Sequence, residues 1–401
     1  MPIYHTLGKI PRKRHTAFRR PNGGIYAEEL MGHEGFSGTS SLLYHVHPPT
    51  TLTSAAHLKC VAYEAEADQT LKHRHFKTAR VRPGGSPTLD RIPLLFNGDI
   101  AMLYVEPRAD DEHYYRNAQC DEVVYVAKGK GVLESVFGEL PFHEGDYVIV
   151  HRGILHRYRL DLSVELPKFL VFESRGHVRT PKRYRNEFGQ LKEGAPYSER
   201  DFRIPHSLTT RPEMGDYRLI VKQRDSLTEM HLDHHPFDVV GWDGYFYPWA
   251  FNIADFEPIV GRVHQPPPVH QTFEGDGFVI CSFCPRPFDF DPDAVPAPYN
   301  HSNVDSDEVL YYASSEFMSR KGIEFGSITL HPDGIPHGPH PGRAEASIGA
   351  KRTDELAVMM DSFRPLHVAK QALEIEDPSY LRSWVDAVSG GPSAGFIPPT
   401  S

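Results

Sequence analysis

Residues 307–312, Asp-Glu-Val-Leu-Tyr-Tyr, and 326–337, Gly-Ser-Ile-Thr-Leu-His-Pro-Asp-Gly-Ile-Pro-His, decide the fold of this chain. A second copy of the pattern lies upstream, where Asp-Glu at 121–122 opens an apolar run and 145–156 is Gly-Asp-Tyr-Val-Ile-Val-His-Arg-Gly-Ile-Leu-His. Both copies place Asp-Glu at the start of a strand-like run, and both then have Gly, seven residues, Gly, two residues, His. Short apolar runs between glycine-containing turns are typical of antiparallel strands with one buried face. The repeat therefore predicts an internal duplication of an all-β unit.

Composition narrows the classes of protein. The 401 residues have a formal net charge of −10, with 39% hydrophobic and 24% charged residues, which is a globular balance. The net acidity argues against a nucleic-acid binder. No stretch approaches the roughly 18 consecutive apolar residues that a membrane helix needs. Four cysteines are too few for a disulfide scaffold. We therefore expect a cytoplasmic protein with neither a nucleic acid nor a membrane as partner.

The downstream copy carries side chains that suit a divalent metal. His301 precedes the pair Asp307 and Glu308, and His337 ends the glycine-containing turn. Two His and one carboxylate on one face leave positions open for substrate and dioxygen. Side chains on adjacent strands of a barrel can converge on such a point. Both carboxylates compete as the third ligand, and the repeat favours Glu308 because it aligns with Glu122.

The two copies resemble the two signature motifs of the cupin superfamily, whose fold is a small jelly-roll barrel. Residues 326–337 fit the second motif at every defined position. The first motif departs from the family, since Asn303 stands where a second His is usual and Ser315 where a Gly is usual. The resemblance implies an all-β chain with two cupin (double-stranded β-helix, jelly-roll) barrels, a connector and a short C-terminal helix.

The two barrels differ in the ligands that they keep. The upstream barrel has Glu122 and His156 but no paired His before them, because Asn117 and Cys120 occupy that region. We expect this degenerate barrel to be structural and free of metal. The predicted divisions are an N-terminal arm with flanking β segments (1–98), the degenerate barrel (99–175), a connector (176–236), the metal-binding barrel (237–368), and a C-terminal helix and tail (369–401).

Over most of its length the chain resembles the homogentisate 1,2-dioxygenase family. The segments that carry the resemblance occur in family order, at 25–30, 41–45, 237–242, 247–252, 298–303 and 336–339. The resemblance implies an Fe(II) enzyme of tyrosine and phenylalanine catabolism that inserts both atoms of O2 into homogentisate and yields maleylacetoacetate. It also implies a homo-oligomer, a trimer or hexamer. The alternatives are a dioxygenase of another hydroquinone-type or gentisate-like acid, or a non-catalytic bicupin that binds a ligand.

Family roles can be carried over to individual residues. His301, Glu308 and His337 match the iron ligands, with His337 also next to the substrate. His331 matches a His beside the iron, where a hydrogen bond would orient substrate or oxygen. The family has a His that acts as base on a substrate hydroxyl, for which this sequence offers His270 and His264; spacing to the following strand favours His270.

One departure from the family bears on the substrate. Nine residues after Glu308, where the family has a Tyr that contacts the aromatic acid, this chain has Phe317. Loss of a hydroxyl that binds a polar group of the substrate costs about 1–3 kcal/mol unless another group replaces it. Tyr311 and Tyr312 are near in sequence, but sequence does not tell which face they occupy. A related hydroquinone-type acid therefore remains open as the substrate.

Overall fold

The computed structural model describes residues 3–68, 70–260, 267–315, 317–320 and 322–385. Their regular secondary structure is almost entirely β-strand, apart from the short α1 (Arg343–Ser347), a helical turn at 383–385 and short 3-10 segments. In the first half, the strands are β1 (His5–Gly8), β2 (Ala27–Glu34), β3 (Ser37–His45), β4 (Leu52–Cys60), β5 (Arg74–Lys77), β6 (Ile92–Phe96), β7 (Ile100–Val105), β8 (Tyr114–Asn117), β9 (Asp121–Lys128), β10 (Gly131–Ser135), β11 (Gly138–Phe142), β12 (Asp146–Val150), β13 (Leu155–Leu160), β14 (Lys168–Ser174) and β15 (Phe202–Arg203).

The second half continues the same pattern of short strands. They are β16 (Met214–Gln223), β17 (Ser226–His234), β18 (Val239–Gly244), β19 (Trp249–Asn252), β20 (Gln271–Gly275), β21 (Phe278–Phe283), β22 (Arg286–Pro287), β23 (Asp307–Tyr312), β24 (Ser327–His331), β25 (Arg352–Thr353), β26 (Ala357–Ser362) and β27 (His367–Val368). The 3-10 segments are Thr78–Arg80, Lys182–Tyr184, Glu199–Asp201, Ile253–Asp255, Pro267–His270, Lys370–Glu374 and Tyr380–Arg382.

The upstream repeat lies in two large sheets. One has the strand order β15-β19-β12-β9-β14-β7-β6-β27, and the other has the order β11-β10-β13-β8-β16-β17-β4. The strands β9, β12 and β14 are buried along nearly their whole length, so each presents apolar side chains to both faces. This first barrel encloses most of the hydrophobic core.

The downstream repeat forms a sheet with the order β20-β21-β26-β23-β24-β5. The two long connections of this second barrel, 284–306 and 332–356, pair with each other through β22–β25 and through a bridge between His301 and His337. Gly326 and Gly334 have φ of +81° and +77°, a left-handed conformation that glycine adopts without strain. The repeated glycines of the sequence pattern are therefore turn positions.

Strands are exchanged between the two halves of the chain. β5, from the N-terminal region, pairs with β24 of the second barrel, and β27 pairs with β6 of the first. One continuous apolar core includes residues of both barrels, among them Tyr125 and Tyr311, whose ring centroids are 6.0 Å apart. The barrels are thus joined through strands and core rather than through a linker.

The predicted fold class is confirmed. The chain is all-β with two cupin barrels, and 3-10 turns followed by a helical turn at 383–385 form the short C-terminal helix. Strand pairing crosses the predicted divisions at 98/99 and 236/237, so those boundaries remain predictions. No helix of the described residues is long and apolar enough to span a bilayer.

Candidate metal centre

The second barrel brings three candidate ligands together from separate parts of the chain. Glu308 is the second residue of β23, while His301 and His337 lie opposite each other in the two paired connections. Their backbones exchange two hydrogen bonds, from His301 N to His337 O at 2.8 Å and from His337 N to His301 O at 2.9 Å. One ligand atom from each of the three side chains lies within 4.8 Å of the others.

The hydrogen bonds made by the two histidines suit metal binding. His301 Nδ1 donates to Tyr299 O at 3.1 Å, which leaves the lone pair of Nε2 directed at Glu308 Oε2, 3.7 Å away. His337 Nε2 is 3.5 Å from Glu308 Oε1, and neither ring nitrogen of this buried His337 has a hydrogen-bond partner among the described residues. A buried polar atom without a partner costs free energy, and a cation between these three side chains would remove that cost.

His331 fixes the orientation of Glu308. Its Nδ1 donates to Glu308 Oε1 at 2.9 Å, and its ring stacks on His337 with centroids 4.8 Å apart. Arg320 donates to Nε2 of His331 at 3.4 Å. Burial and then Arg320 lower the pKa of His331 to about 3, so its ring is neutral. Burial alone would raise the pKa of Glu308, but contacts with His301, His331 and His337 hold it well below its usual value.

The carboxylate of Asp307 binds backbone N–H groups instead. Its oxygens accept hydrogen bonds from Asp333 N at 2.8 Å and Leu366 N at 2.6 Å. In the first barrel, Asp121 likewise accepts from Arg152 N at 2.8 Å and Val178 N at 3.0 Å. The repeated Asp is thus a structural residue in both barrels, and the structure places Glu308, rather than Asp307, beside the two histidines.

In the first barrel, the carboxylate of Glu122, which corresponds to Glu308, binds a guanidinium. Arg91 makes a two-pronged ion pair with Glu122, at 2.7 and 2.9 Å, and Asn117 donates to the same carboxylate at 2.9 Å. His156 Nε2 is 4.0 Å from Glu122. A buried arginine neutralises the carboxylate that a metal would otherwise satisfy, which supports a structural role for this barrel.

A cavity of about 710 Å³ opens beside the three ligands. This volume is in the range of small-molecule sites. His301 and Glu308 line it, as does Asp361, which is in register with Glu308 on the neighbouring strand. Burial, with a smaller effect from Glu308, raises the pKa of Asp361 to about 7. Glu173 is the counterpart of Asp361 in the first barrel, where it binds Lys222 Nζ at 2.5 Å.

The predicted substrate contacts divide into residues on the cavity wall and residues beside it. Phe317 lines the cavity and packs edge-on against Tyr312, with centroids 4.7 Å apart. Tyr312 OH bonds Thr329 Oγ1 at 3.1 Å, and Tyr311 packs into the core against Tyr125. His337 is not among the lining residues. Neither Tyr311 nor Tyr312 therefore replaces the hydroxyl that Phe317 lacks.

The two candidates for the base lie upstream of the metal centre. His270 ends the 3-10 turn Pro267–His270, is fully buried, and stacks on Phe283 with centroids 4.5 Å apart. Phe283 lines the cavity, whereas His270 is not among the lining residues. The alternative, His264, lies outside the described residues. The role of His270 stays a prediction.

Two other clusters that suggest metal sites have structural explanations. Asp121, His151 and His177 lie close enough to share an ion. However, His151 Nδ1 bonds Asp121 at 2.8 Å, and its Nε2 accepts from Trp249 Nε1 at 3.0 Å, so no lone pair of His151 remains for a metal. Burial raises the pKa of both thiols of the Cys281/Cys284 pair, which opposes thiolate chemistry there.

Known proteins match this chain over nearly its full length. A protein of Saccharolobus solfataricus named "Putative dioxygenase SSO1533" is 42% identical, with 96% of this chain and 99% of that protein aligned. A family profile described as homogentisate 1,2-dioxygenase N-terminal matches residues 93–253. This chain belongs to the homogentisate 1,2-dioxygenase family. Members of the family are dioxygenases, and the resemblance seen in the sequence is confirmed.

Named homogentisate 1,2-dioxygenases are more distant members of this family. The enzyme of Oryza sativa is 24% identical, with 94% of this chain and 87% of that protein aligned. The mouse enzyme is also 24% identical, with 72% and 67% aligned. Among solved structures, a cupin 2 conserved barrel domain protein from Leptotrichia buccalis covers 76% of this chain and all of its own, at 10% identity and a TM-score of 0.33. A likeness this weak adds nothing to the strand order described above.

Proposed function

We propose that this chain is an Fe(II)-dependent dioxygenase that cleaves the ring of a hydroquinone-type aromatic acid, with homogentisate as the favoured substrate and maleylacetoacetate as the product. The observation that carries the proposal is the meeting of His301, Glu308 and His337 beside a cavity large enough for a one-ring acid. Two His and one carboxylate are the ligand set of non-heme Fe(II) oxygenases, which keep open positions on the metal.

In this proposal the metal and the protein have separate roles. Bound Fe(II) supplies a Lewis acid and a path for electrons between the ring and O2. His331 holds Glu308 through the 2.9 Å hydrogen bond, and the apolar side chains of the cavity wall would position the ring. His270, behind Phe283, is the proposed acceptor of the proton of a substrate hydroxyl.

The family resemblance also suggests a compartment, an oligomeric state and a pathway. We propose a cytoplasmic homo-oligomer, a trimer or hexamer, in tyrosine and phenylalanine catabolism. Its small partners would be the aromatic acid and O2. Phe317 on the cavity wall is the specific reason to keep a second substrate in view, because a pocket without the family hydroxyl suits a different hydroquinone-type or gentisate-like acid.

Product analysis tests which aromatic acid is the substrate. Anaerobically Fe(II)-loaded protein would receive homogentisate, gentisate or protocatechuate, and ring-opened product would be identified by mass. We expect turnover with homogentisate alone. Turnover with another acid would support the proposed reaction class and identify that acid as the substrate. Iron retention without turnover of any diphenolic acid would overturn the proposal and favour a bicupin that only binds.

A further inference from the structure

One carboxylate on the cavity wall lacks a hydrogen-bond donor within the described part of the chain. Asp361 lies on β26, opposite Glu308 of β23, and lines the cavity. Its Oδ1 is buried and makes no hydrogen bond with any described residue. A carboxylate that loses its water on folding and gains no donor destabilises the folded chain.

The neighbour of Asp361 adds to this cost. Side chains directly opposite each other on antiparallel strands have Cβ atoms about 4.5–5.5 Å apart, and like charges at such a pair are destabilising. Burial and then Glu308 raise the pKa of Asp361, whereas His301 lowers it. The carboxyl group keeps an acceptor oxygen in either protonation state. An acidic group that is this unfavourable for folding points to a ligand that supplies a hydrogen-bond donor.

The first barrel shows how protein groups can satisfy a carboxylate at this position. Glu173 of β14 is the counterpart of Asp361. Lys222 Nζ donates to Glu173 at 2.5 Å, Tyr63 OH at 2.6 Å and Asn117 Nδ2 at 3.3 Å. Among the described residues, the second barrel supplies no such donors to Oδ1 of Asp361. The donor would therefore come from a molecule in the cavity.

The side chains around Asp361 favour an aromatic ring in that place. Leu310 is two residues from Glu308, and Met359 is two residues from Asp361, so strand alternation directs all four toward the same face. Leu310 pairs with Met359 across the two strands, and both line the cavity. These two side chains offer apolar contact and no hydrogen-bond donor. A ring that packs on them would present a hydroxyl substituent to the carboxylate.

We propose that Asp361 accepts a hydrogen bond from one ring hydroxyl of the substrate, so that the cavity selects dihydroxy acids over analogues that lack this hydroxyl. The inference rests on the proposed function and assigns a substrate-binding residue to it. Asp361 is outside the group His301, Glu308 and His337, whose ligand atoms lie within 4.8 Å of one another. An analogue without the donor is strongly rejected at such a site, because the buried acceptor is then left unpaired.

Stability gives the first test, because the proposal predicts the sign of the change. In the iron-free chain, Asp361→Asn removes a buried charge opposite Glu308, so we expect the urea midpoint of unfolding to rise. Glu173→Gln is the matched control. The same acid-to-amide change in the first barrel deprives Lys222 of its partner, and the midpoint should fall. A lower midpoint for Asp361→Asn would show a structural role for this carboxylate and overturn the inference.

Binding gives the second test, by anaerobic calorimetry on the Fe(II)-loaded full chain. The probes are homogentisate and its two analogues with a single hydroxyl, 2-hydroxyphenylacetate and 3-hydroxyphenylacetate. In Asp361→Val we expect Kd for homogentisate to rise about tenfold or more. Kd should rise as much for the analogue that retains the hydroxyl bound by Asp361, and by less than about twofold for the analogue that lacks it. Asp361→Asn, which retains an acceptor oxygen, should show a smaller rise.

The outcomes separate this inference from the proposed function. Equal changes in Kd for all three probes, or no change, in Asp361→Val would overturn the inference, while turnover by the unaltered protein leaves the proposed function standing. We expect equal iron content in every variant, and loss of iron from Asp361→Asn would show a metal ligand instead. Absence of binding and turnover with every diphenolic probe in the unaltered, iron-loaded protein would remove the proposed function, and this inference with it.

Discussion

At the scale of single residues, the contact between His331 and Glu308 decides how well the ligand set is organised. The hydrogen bond of 2.9 Å holds Oε1 of Glu308, whereas the nearer contact of His301 is with Oε2. Sequence comparison assigned His331 to substrate or oxygen, whereas the structure directs its Nδ1 to a candidate ligand. Groups that orient a ligand in this way raise metal affinity without touching the metal.

We therefore predict that His331→Gln keeps the fold but weakens Fe(II) binding by roughly 10–100-fold, because Glu308 loses a fixed donor. Competition with a chromophoric chelator would measure the affinity. His73→Gln is the matched control, since His73 packs against His331 and His337, with centroids 5.5 and 6.2 Å away, and bonds Pro336 O rather than Glu308. Unchanged affinity in His331→Gln would contradict this role.

At the scale of elements, a buried histidine links strands of the four-stranded sheet whose order is β1-β18-β3-β2. His45, at the end of β3, bonds Asp238 at 2.7 Å and Glu29 of β2 at 3.1 Å. Burial lowers its pKa, but the two carboxylates outweigh burial and raise the pKa to about 9, against an ordinary value of 6.5. Because the folded pKa is raised, this stabilisation is complete below about pH 6.5 and is lost as the pH rises through about 9.

Unfolding in urea at a series of pH values tests this. We predict that the unaltered chain loses up to about 3 kcal/mol of unfolding free energy between pH 6.5 and 10 through this residue. His45→Asn should lack that part of the slope, since it has no titrating ring. Identical slopes for the two proteins would show that His45 does not hold its proton in the folded state.

The sequence predicted those elements whose signal is local. The Gly-x7-Gly-x2-His pattern located the turn before His337, because two positive φ angles there require glycine. The Asp-Glu pair located the start of β23, and the repeat distinguished Glu308 from Asp307. Contacts between residues distant in sequence had no such signal: Arg91 against Glu122 and Asp361 in register with Glu308 both depend on tertiary structure.

At the scale of the whole molecule, exchanged strands make the two barrels interdependent. β5 belongs to the second barrel and β27 to a sheet of the first, and the hydrophobic core runs through both. The predicted connector at 176–236 contributes β16 and β17 to the same sheet as β8. The sequence predicted two barrels in series along the chain. It did not predict the exchanged strands, because strand exchange does not change the local hydrophobic pattern.

This arrangement predicts cooperative unfolding. Differential scanning calorimetry should give one transition whose calorimetric and van't Hoff enthalpies agree. A metal bound only in the second barrel should raise the free energy of unfolding of the whole chain, by about 2.7 kcal/mol at a free metal concentration 100 times Kd. The single transition should then move as a whole to higher temperature. Two transitions, of which only one responds to the metal, would show that the barrels unfold independently.

The central claim is that His301, Glu308 and His337 form the iron site of a ring-cleaving dioxygenase, and the duplication supplies a matched pair of variants to test it. The most direct measurement is O2 uptake with homogentisate, recorded with iron content, for the unaltered chain, His337→Gln and His156→Gln. We predict one O2 per homogentisate and one iron per chain for the unaltered protein and for His156→Gln, because Arg91 already satisfies Glu122 in the first barrel. His337→Gln should lose both iron and uptake. Full iron and full uptake in His337→Gln, or their loss only in His156→Gln, would contradict the claim.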